Sequence, residues 1–277
     1  MFSPVFKPND DFIVQIQKLL EQASLIALQH YQTYKIGANF NIYEKSDLSP
    51  VTQADLAINK FLLKELQKLT PSIPIISEEE DNQQRQDWKK CWLLDPLDGT
   101  KEFLAKRDQF TINLSLIEKG KTIFSAIMIP VEQTLYIGYQ QQKPFKYNDG
   151  QWFEFDELKQ NEKLHIGISY RSVKDQYDKF IQNLNEPVEL IKAGSAYKFC
   201  LMLEGKIDIY PRFHPTSEWD TSAGQGLLES IGGGLVSLQN EPFIYNQRDT
   251  LLNAGFIAYC SEIQRTIAFN ALHKKSL

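Results

Sequence analysis

One decapeptide constrains the fold of this chain more than any other stretch: Cys91-Trp92-Leu93-Leu94-Asp95-Pro96-Leu97-Asp98-Gly99-Thr100. Its apolar part, residues 92–94, predicts a short buried strand bounded by turn residues. That strand would deliver two carboxylates, Asp95 and Asp98, into the turn that follows it. Pro96 favours an extended Asp95, and Gly99 permits backbone angles that other residues resist. The turn can therefore aim both carboxylates at one point.

The residues around this turn also suit an anion. The Leu97 carbonyl adds a third oxygen ligand, and Thr100 suits the start of a short helix whose free N–H groups attract a negative group. Oxygen ligands for a hard cation would then lie beside a phosphate site. The alternative is a solvated loop, because Asp-Pro and Asp-Gly are ordinary turn formers.

The composition excludes several functional classes. A chain of 277 residues can form one large domain or two closely packed lobes. The net charge of −5 gives no support for binding a nucleic-acid polymer or for a polybasic membrane anchor. A small anionic substrate would therefore need a local positive centre, either metal ions or a few well-placed Lys and Arg side chains.

The sequence shows no signal peptide and no apolar stretch as long as a membrane span, so we expect no transmembrane segment. Three widely spaced cysteines favour packed, reduced thiols in a cytoplasmic protein over a disulfide framework. The four histidines form no zinc-binding pattern, and there is no Cys-x-x-Cys. Any bound metal must then have oxygen ligands, which favours magnesium or manganese.

Two further carboxylates stand at predicted helix or strand ends in the first part of the chain. A first helix begins near Asp10, and residues 37–50 are expected to form a loop or hairpin. Thr52 and Asp55 resemble a capping box that opens a second helix. A short strand then leads into four acids, of which Glu78 could hold a ligand; the next three, residues 79–81, are expected at the surface.

The second part of the chain adds Asp220, which is either a helix-start acid favoured by the macrodipole or another fixed carboxylate. Antiparallel strands after two helices predict an α+β first lobe. From about residue 161, strands alternate with helices, which predicts an α/β second lobe.

Three separated motifs resemble the signatures of the inositol monophosphatase superfamily: Asp95-Pro96-Leu97-Asp98-Gly99-Thr100, Ile76-Ser77-Glu78-Glu79 and Trp219-Asp220-Thr221-Ser222-Ala223-Gly224. Their joint occurrence, in order along nearly the whole chain, is far more specific than any one of them. The resemblance implies a layered α-β-α-β-α sandwich of the α+β class. It also implies a single catalytic unit over residues 1–277, in which a metal-binding α+β lobe (1–160) is completed by an α/β lobe (161–277).

Within the superfamily, the chain resembles the 3′(2′),5′-bisphosphate nucleotidase branch, on three segments: Lys101-Glu102-Phe103, Gly194-Ser195-Ala196-Tyr197-Lys198-Phe199 and Tyr210-Pro211-Arg212-Phe213. The run Ser169-Tyr170-Arg171-Ser172 departs from the more usual Ser-Arg-Ser by its intervening tyrosine. The resemblance implies magnesium-dependent removal of the 3′-phosphate from adenosine 3′,5′-bisphosphate, leaving AMP, and also from 3′-phosphoadenylyl sulfate, in the service of sulfate assimilation.

The resemblance also implies residue roles. Two or three Mg²⁺ ions would be bound by Glu78, Asp95, Asp98, Asp220 and the Leu97 carbonyl. Asp55 would orient a metal-bound water, and Thr100 would position or deprotonate the attacking water. The implied substrate contacts are Glu78, Leu97, Asp98, Gly99, Thr100, Ser195, Lys198 and Asp220. Lys198 and Arg212 could contact the distal 5′-phosphate and Tyr197 the adenine, or they could be surface cations and a packed aromatic ring.

The main alternative is an inositol monophosphatase that acts on a polyol phosphate, against which Lys101 and the run Tyr210-Pro211-Arg212 argue. A catalytically silent sensor on the same fold is a third possibility, but every expected carboxylate is present. We expect a small-molecule nucleotide substrate, a monomer or homodimer, and a cytoplasmic location; peripheral association with the inner membrane stays open.

Overall fold

The structure is a computed structural model that describes residues 3–5, 10–45, 48–139, 142–155, 161–172 and 174–274. The helices in these ranges are α1 (Asp11–Lys35), α2 (Gln53–Leu69), α3 (Thr100–Leu104), α4 (Lys174–Asn183), α5 (Tyr197–Leu203), α6 (Glu218–Glu229) and α7 (Glu262–His273). The strands before residue 155 are β1 (Ser3–Val5), β2 (Ile42–Glu44), β3 (Pro50–Thr52), β4 (Ile75–Ser77), β5 (Lys90–Asp98), β6 (Thr111–Glu118), β7 (Lys121–Ile129), β8 (Thr134–Tyr139), β9 (Phe145–Asn148) and β10 (Gln151–Glu154). The later strands are β11 (Leu164–Ile168), β12 (Val188–Lys192), β13 (Ile209–Arg212), β14 (Thr216–Ser217), β15 (Gly234–Ser237), β16 (Leu252–Asn253) and β17 (Phe256–Tyr259).

Two large sheets organise the molecule. The first has eight strands in the order β1-β10-β9-β8-β7-β6-β5-β4, antiparallel except for the β4–β5 pair. The second has five strands in the order β12-β11-β13-β17-β15, with β11 parallel to both of its neighbours. This mixed α+β architecture confirms the predicted fold class.

Helices cover both faces of the first sheet, and β5 shows the consequence in its sequence. Trp92 and Leu94 pack toward α1 and α2, whereas Cys91 and Leu93 pack toward α5 and α6. Because successive side chains of a strand point to opposite faces, a strand covered on both sides is apolar throughout. Burial of each such leucine contributes about 1.5–3 kcal/mol relative to its exposure. Helices α4 and α7 pack on the outer face of the second sheet, which completes five layers.

Helix α6 belongs to the second half of the chain but packs on the first sheet. The hydroxyl groups of Ser222 and Ser115 lie 2.6 Å apart, and the Thr122 hydroxyl donates to the Ser222 carbonyl at 3.2 Å. A side chain at Gly226 would place its Cβ 2.1 Å from the Ser125 hydroxyl oxygen, so only glycine permits this approach. Residues of α6 therefore contact β6 and β7 of the first sheet directly.

Most predicted elements in the first part of the chain are confirmed. The Asp10 side chain caps α1 by accepting the Phe12 N–H at 2.9 Å. The 37–50 segment contributes β2, which pairs with β3 as a hairpin. No prediction covered β9, or β15 to α7 near the end of the chain.

The three cysteines are free and buried, as predicted. Among the described residues, no helix combines the length and the apolar character that crossing a membrane requires.

Candidate metal centre and active cleft

The carboxyl end of β5 is a bulged strand and not the turn that the sequence predicted. Asp95 still pairs with Asn113 and Asp98 with Thr111, so two residues, Pro96 and Leu97, lie opposite one. Proline is tolerated at such a bulge because no ladder hydrogen bond is required of it. The Leu97 N–H donates to Asp95 Oδ1 at 3.0 Å, which fixes that carboxylate. The prediction that the strand stops before Asp95 was wrong because pairing with β6 continues as far as Asp98. The local sequence pattern gives no information about this pairing.

Gly99 follows the bulge and is required by its geometry. Its φ of +95° is in the left-handed region, and an added Cβ would lie 3.1 Å from the Ser195 Cβ. The residue thus serves as the N-cap of α3, which begins at Thr100 as predicted. The segment after β5 therefore approaches the Ser195 segment closely at this glycine.

Three carboxylates from separate elements meet beside the bulge. Glu78 follows β4, Asp95 lies in β5, and Asp220 lies in the first turn of α6; one oxygen of each is within 4.8 Å of the others. Parallel pairing of β4 with β5, extended by a Glu78 N–H bond to the Leu94 carbonyl at 3.1 Å, sets Glu78 beside Asp95. Asp95 Oδ2 is buried without a hydrogen-bond partner. A convergent set of carboxylate oxygens with an unsatisfied buried member fits a hard divalent cation.

The electrostatics of the cluster also indicate that a cation would stabilise it. Burial, together with the neighbouring Glu78, Asp98 and Asp220 carboxylates, raises the pKa of Asp95 well above its usual range. Burial and the Asp220 charge raise the pKa of Glu78 to about 7, with Lys45 opposing the shift. Because like charges in a buried site disfavour ionisation, a bound cation would stabilise the ionised cluster.

Asp98 lies next to this cluster and is held by residues of β6 and of the segment that begins α5. Its Oδ2 accepts from the Asn113 side-chain amide at 3.1 Å and from the Ala196 backbone N–H at 2.6 Å. Burial and the Asp220 charge raise the pKa of Asp98 to about 7.

Asp55 and Thr100 form a hydrogen-bonded pair on the other side of the bulge. The Thr100 hydroxyl donates to Asp55 Oδ1 at 3.0 Å, while Asp55 Oδ2 accepts the Thr52 N–H at 2.9 Å. Asp55 is only 1% exposed. It therefore serves as the helix cap that the sequence predicted and also orients the Thr100 hydroxyl.

Lys45 is a site residue that the sequence reasoning missed. Its ammonium group lies 2.7 Å from Glu78 Oε1 and 2.7 Å from Glu79 Oε1. The Glu79 side chain is 5% exposed, so the prediction that Glu79 is a surface acid was wrong. Glu80 and Asp81 are exposed, as expected. This lysine in a polar loop carries no signal in the sequence, because only the position of the β2–β3 hairpin brings it to the acids that follow β4.

Residues from the second half of the chain supply the cleft wall opposite the acidic cluster. Lys198 is 1% exposed, and its ammonium group donates to the carbonyls of Ala193 and Ser195 at 3.0 and 2.8 Å. It is therefore not a surface cation. Arg212 contributes to the same wall, and its Nε is buried without a hydrogen-bond partner.

Ser195 and Tyr197, the other two predicted residues of this segment, have different places. The Ser195 hydroxyl donates to the Gln109 carbonyl at 2.7 Å and accepts the Tyr197 N–H at 3.2 Å, so it satisfies one free N–H at the start of α5, whose N-cap is Ala196, and it also lines the cleft. The Tyr197 hydroxyl donates to Glu132 at 2.6 Å, and Tyr197 is not part of the cleft wall. It corresponds to the packed-aromatic alternative.

A cleft of about 270 Å³, lined by residues from both halves of the chain, brings most of the predicted residues together. Its wall includes Glu78, Asp95, Leu97, Asp98, Gly99, Thr100, Ser195, Lys198, Arg212 and Asp220. Asp55 lies behind Thr100 and outside the wall.

A larger cavity, of about 400 Å³, lies around Asp208 in the second half of the chain and is lined by none of the predicted residues. The Asp208 carboxylate there is already satisfied by Asn161, Gln264 and the His165 N–H.

The sequence model of the inositol monophosphatase family matches residues 9–268. The chain belongs to this family. The family's members of known sequence include the 3′(2′),5′-bisphosphate nucleotidase CysQ of Salmonella typhimurium, which is 37% identical over 227 residues, 81% of this chain and 91% of that protein. CysQ of Escherichia coli K12 is 35% identical over 87% of this chain and 97% of its own length.

Solved structures of the inositol monophosphatase family agree with the fold. CysQ from Bacteroides thetaiotaomicron superposes with a TM-score of 0.77 at 29% identity, over 90% of this chain and 96% of that one. The extragenic suppressor protein suhB from Bartonella henselae gives a TM-score of 0.78 at 20% identity, over 96% of this chain and all of that one. The second comparison supports the fold alone.

Proposed function

We propose that this chain is a magnesium-dependent phosphatase that hydrolyses the 3′-phosphate of adenosine 3′,5′-bisphosphate to give AMP and phosphate. 3′-Phosphoadenylyl sulfate, which would give adenylyl sulfate, is a second proposed substrate, and both belong to sulfate assimilation. The observation that carries the reaction type is the Glu78–Asp95–Asp220 cluster beside the Asp55–Thr100 pair. The relatives named as bisphosphate nucleotidases support the choice of substrate.

The donor set suits Mg²⁺, since all of its atoms are oxygens. Glu78, Asp95, Asp98, Asp220 and the Leu97 carbonyl would hold two or three ions. When bound, the ions supply positive charge that neutralises the carboxylates and the phosphate, activates a water molecule and stabilises the leaving oxygen. This charge explains how an acidic site can accept an acidic substrate.

The chain itself would orient the attacking water. The Thr100 hydroxyl, held 3.0 Å from Asp55 Oδ1, can accept a hydrogen bond from water while its own proton points to Asp55. A proton leaving the water could then pass to Thr100 as the Thr100 proton passes to Asp55. The backbone N–H groups of Gly99 and Thr100 are the proposed donors to the phosphate oxygens.

The opposite wall is the proposed recognition surface for the rest of the nucleotide. Arg212 has a buried Nε without a hydrogen-bond partner, and Lys198 adds a second positive charge to the same wall. We assign these two cations, together with Ser195, to the distal 5′-phosphate side of the substrate.

Phosphate release from adenosine 3′,5′-bisphosphate and from inositol 1-phosphate, with and without magnesium, tests this proposal directly. We expect hydrolysis to require magnesium and kcat/KM to be much higher for the nucleotide. Preference for the inositol ester would retain the metal centre and overturn the substrate. Activity on neither ester would favour a silent sensor on the same fold.

We also propose a single catalytic unit in which residues 1–160 supply most of the metal ligands and residues 161–277 complete the site. The strands of the eight-stranded sheet precede residue 155, and those of the five-stranded sheet follow residue 163. A cytoplasmic location is proposed because three buried free thiols are typical of a reducing compartment. Light scattering would distinguish a monomer from a homodimer, and cell fractionation would test for peripheral association with the inner membrane.

A further inference from the structure

Tyr170 is an aromatic residue of the cleft wall that the phosphatase chemistry does not use. It follows β11 in the segment 169–172, and it lines the cleft together with Ser169 and Arg171. The residue is 38% exposed. A large aromatic ring exposed in the wall of a polar cleft indicates a surface made for a ligand with a matching apolar face.

The Tyr170 ring is held by Arg107, a residue from the first half of the chain. The Arg107 guanidinium carbon lies 4.2 Å from the centre of the Tyr170 ring. Arg107 Nη1 in turn lies 3.9 Å from Glu102 Oε1, and the Arg107 N–H donates to the Glu102 carbonyl at 2.9 Å. Glu102 belongs to α3, the helix that begins at Thr100. The orientation of the ring is therefore connected to the helix that places the catalytic hydroxyl.

The contact with Arg107 favours a defined ring plane. A guanidinium group over an aromatic face is attracted by the ring quadrupole, and this attraction holds the two planes together. An oriented ring loses little conformational entropy when a flat ligand stacks on it. Nucleobases stack on such rings, whereas a polyol has no π-face to offer.

We propose that Tyr170 is a specificity-determining residue that stacks on the purine base of the substrate. This inference rests on the proposed function, and it assigns the base to the rim of the cleft formed by the segment 169–172. The Arg107 side chain is the support of the ring and does not contact the substrate in this arrangement.

The test compares a substrate that carries a base with one that lacks it. For Tyr170→Leu, we expect KM for adenosine 3′,5′-bisphosphate to rise about tenfold, in line with the contribution of one base–aromatic stack. KM for the base-free analogue, 1,2-dideoxyribose 3,5-bisphosphate, should not change, and kcat should remain within about twofold for both. Tyr170→Phe should behave as the wild type, because the ring is retained.

Tyr139 offers a matched control, since it is 37% exposed, packs against Phe124 and lies outside the cleft. Tyr139→Leu should alter neither KM. An equal rise in KM for both substrates in Tyr170→Leu would overturn the inference, because it would show that the ring only shapes the loop.

Binding measurements separate this inference from the proposed function. Calorimetry with AMP and with ribose 5-phosphate, in the presence of magnesium, requires no turnover. Weaker AMP binding in Tyr170→Leu with unchanged ribose 5-phosphate binding would support stacking even if the wild type hydrolyses neither ester. Unchanged AMP binding would overturn stacking whatever the hydrolysis result.

Discussion

Helices α2 and α6 begin with the same local arrangement. Each has a hydroxyl residue at its N-cap, Thr52 or Ser217, and an aspartate three positions later, Asp55 or Asp220. In both helices Oδ2 of the aspartate accepts the N–H of the N-cap residue at 2.9 Å, and a threonine hydroxyl, from Thr52 or Thr216, donates to the same oxygen.

The two aspartates differ in what surrounds the rest of the carboxylate. Asp55 Oδ1 accepts the Thr100 hydroxyl, whereas Asp220 faces Glu78 and Asp95 in the acidic cluster. Capping and catalysis are therefore not competing explanations for either residue. The cap fixes the direction of the carboxylate, and the neighbouring element decides whether it meets a hydroxyl or other carboxylates.

The largest effect should come from Asp220→Asn, which retains an oxygen for the helix cap but removes the charge. We expect kcat to fall by about 10³-fold or more, because a charged ligand of the proposed metal centre is lost. Thermal unfolding in EDTA should show a Tm that is unchanged or raised, because repulsion of Glu78 and Asp98 is relieved. Turnover equal to that of the wild type would disprove the metal assignment.

Thr100→Val tests the other aspartate through its partner. Removal of the hydroxyl should lower kcat by about 10²-fold, the lower range for a lost proton-transfer group. Magnesium affinity should change little, since Asp55 is not among the proposed ligands. Thr100→Ser should restore most of the activity. If Thr100→Val kept full kcat, the Asp55–Thr100 pair would be structural only.

Thr52→Ala and Thr216→Ala sharpen the comparison at the threonines that donate to the two aspartates. Thr52→Ala should lower the free energy of unfolding by about 1–2 kcal/mol, because the hydroxyl also accepts the Ala54 N–H as the α2 cap. Thr216→Ala should mainly weaken magnesium binding, by about tenfold, because it loosens a ligand without being an N-cap. Denaturant titration and magnesium titration measure the two effects. Equal losses of stability with unchanged magnesium affinity would contradict the assignment.

The smallest effect concerns pH in the absence of metal. Burial and the Asp220 charge raise the pKa of Glu78 to about 7 from its model-compound value of 4.5. Between these values the folded chain binds more protons than the unfolded chain, so the free energy of unfolding should fall as the pH rises, and level off above about 7. Unfolding in EDTA between pH 5 and 8 measures this fall. Saturating magnesium should abolish it, and a stability that rises with pH in EDTA would contradict the cluster electrostatics.

The sequence predicted those parts of the site that depend on local rules. The capping box of Thr52 and Asp55, the strand before Glu78 and the short helix at Thr100 follow from residues within one turn of each other, and the structure contains each of them. The bulge after Asp95 depends on pairing with β6, so the local pattern of proline and glycine indicated a turn instead.

Residues whose burial depends on distant packing were harder to predict. Glu79 looked like part of a solvated acidic run, and only the ammonium group of Lys45 from the β2–β3 hairpin accounts for its burial. Lys198 lies in an otherwise apolar helix and is buried with its charge turned back onto carbonyls of the preceding segment. Neither contact follows from the spacing of charges along the chain.

The packing of α6 on the first sheet has a consequence for the order of synthesis. The strands β4 to β10 leave the ribosome before α6, yet the face that carries Ser115 and Thr122 is covered only when Ser222 arrives. At typical elongation rates this delay is on the order of several seconds. During that time the nascent sheet exposes apolar surface, so a chaperone that binds such surfaces has its opportunity in this interval. The delay ends with α6, which also carries Asp220, the last carboxylate of the acidic cluster. A nascent chain therefore assembles this cluster only once the sheet is covered.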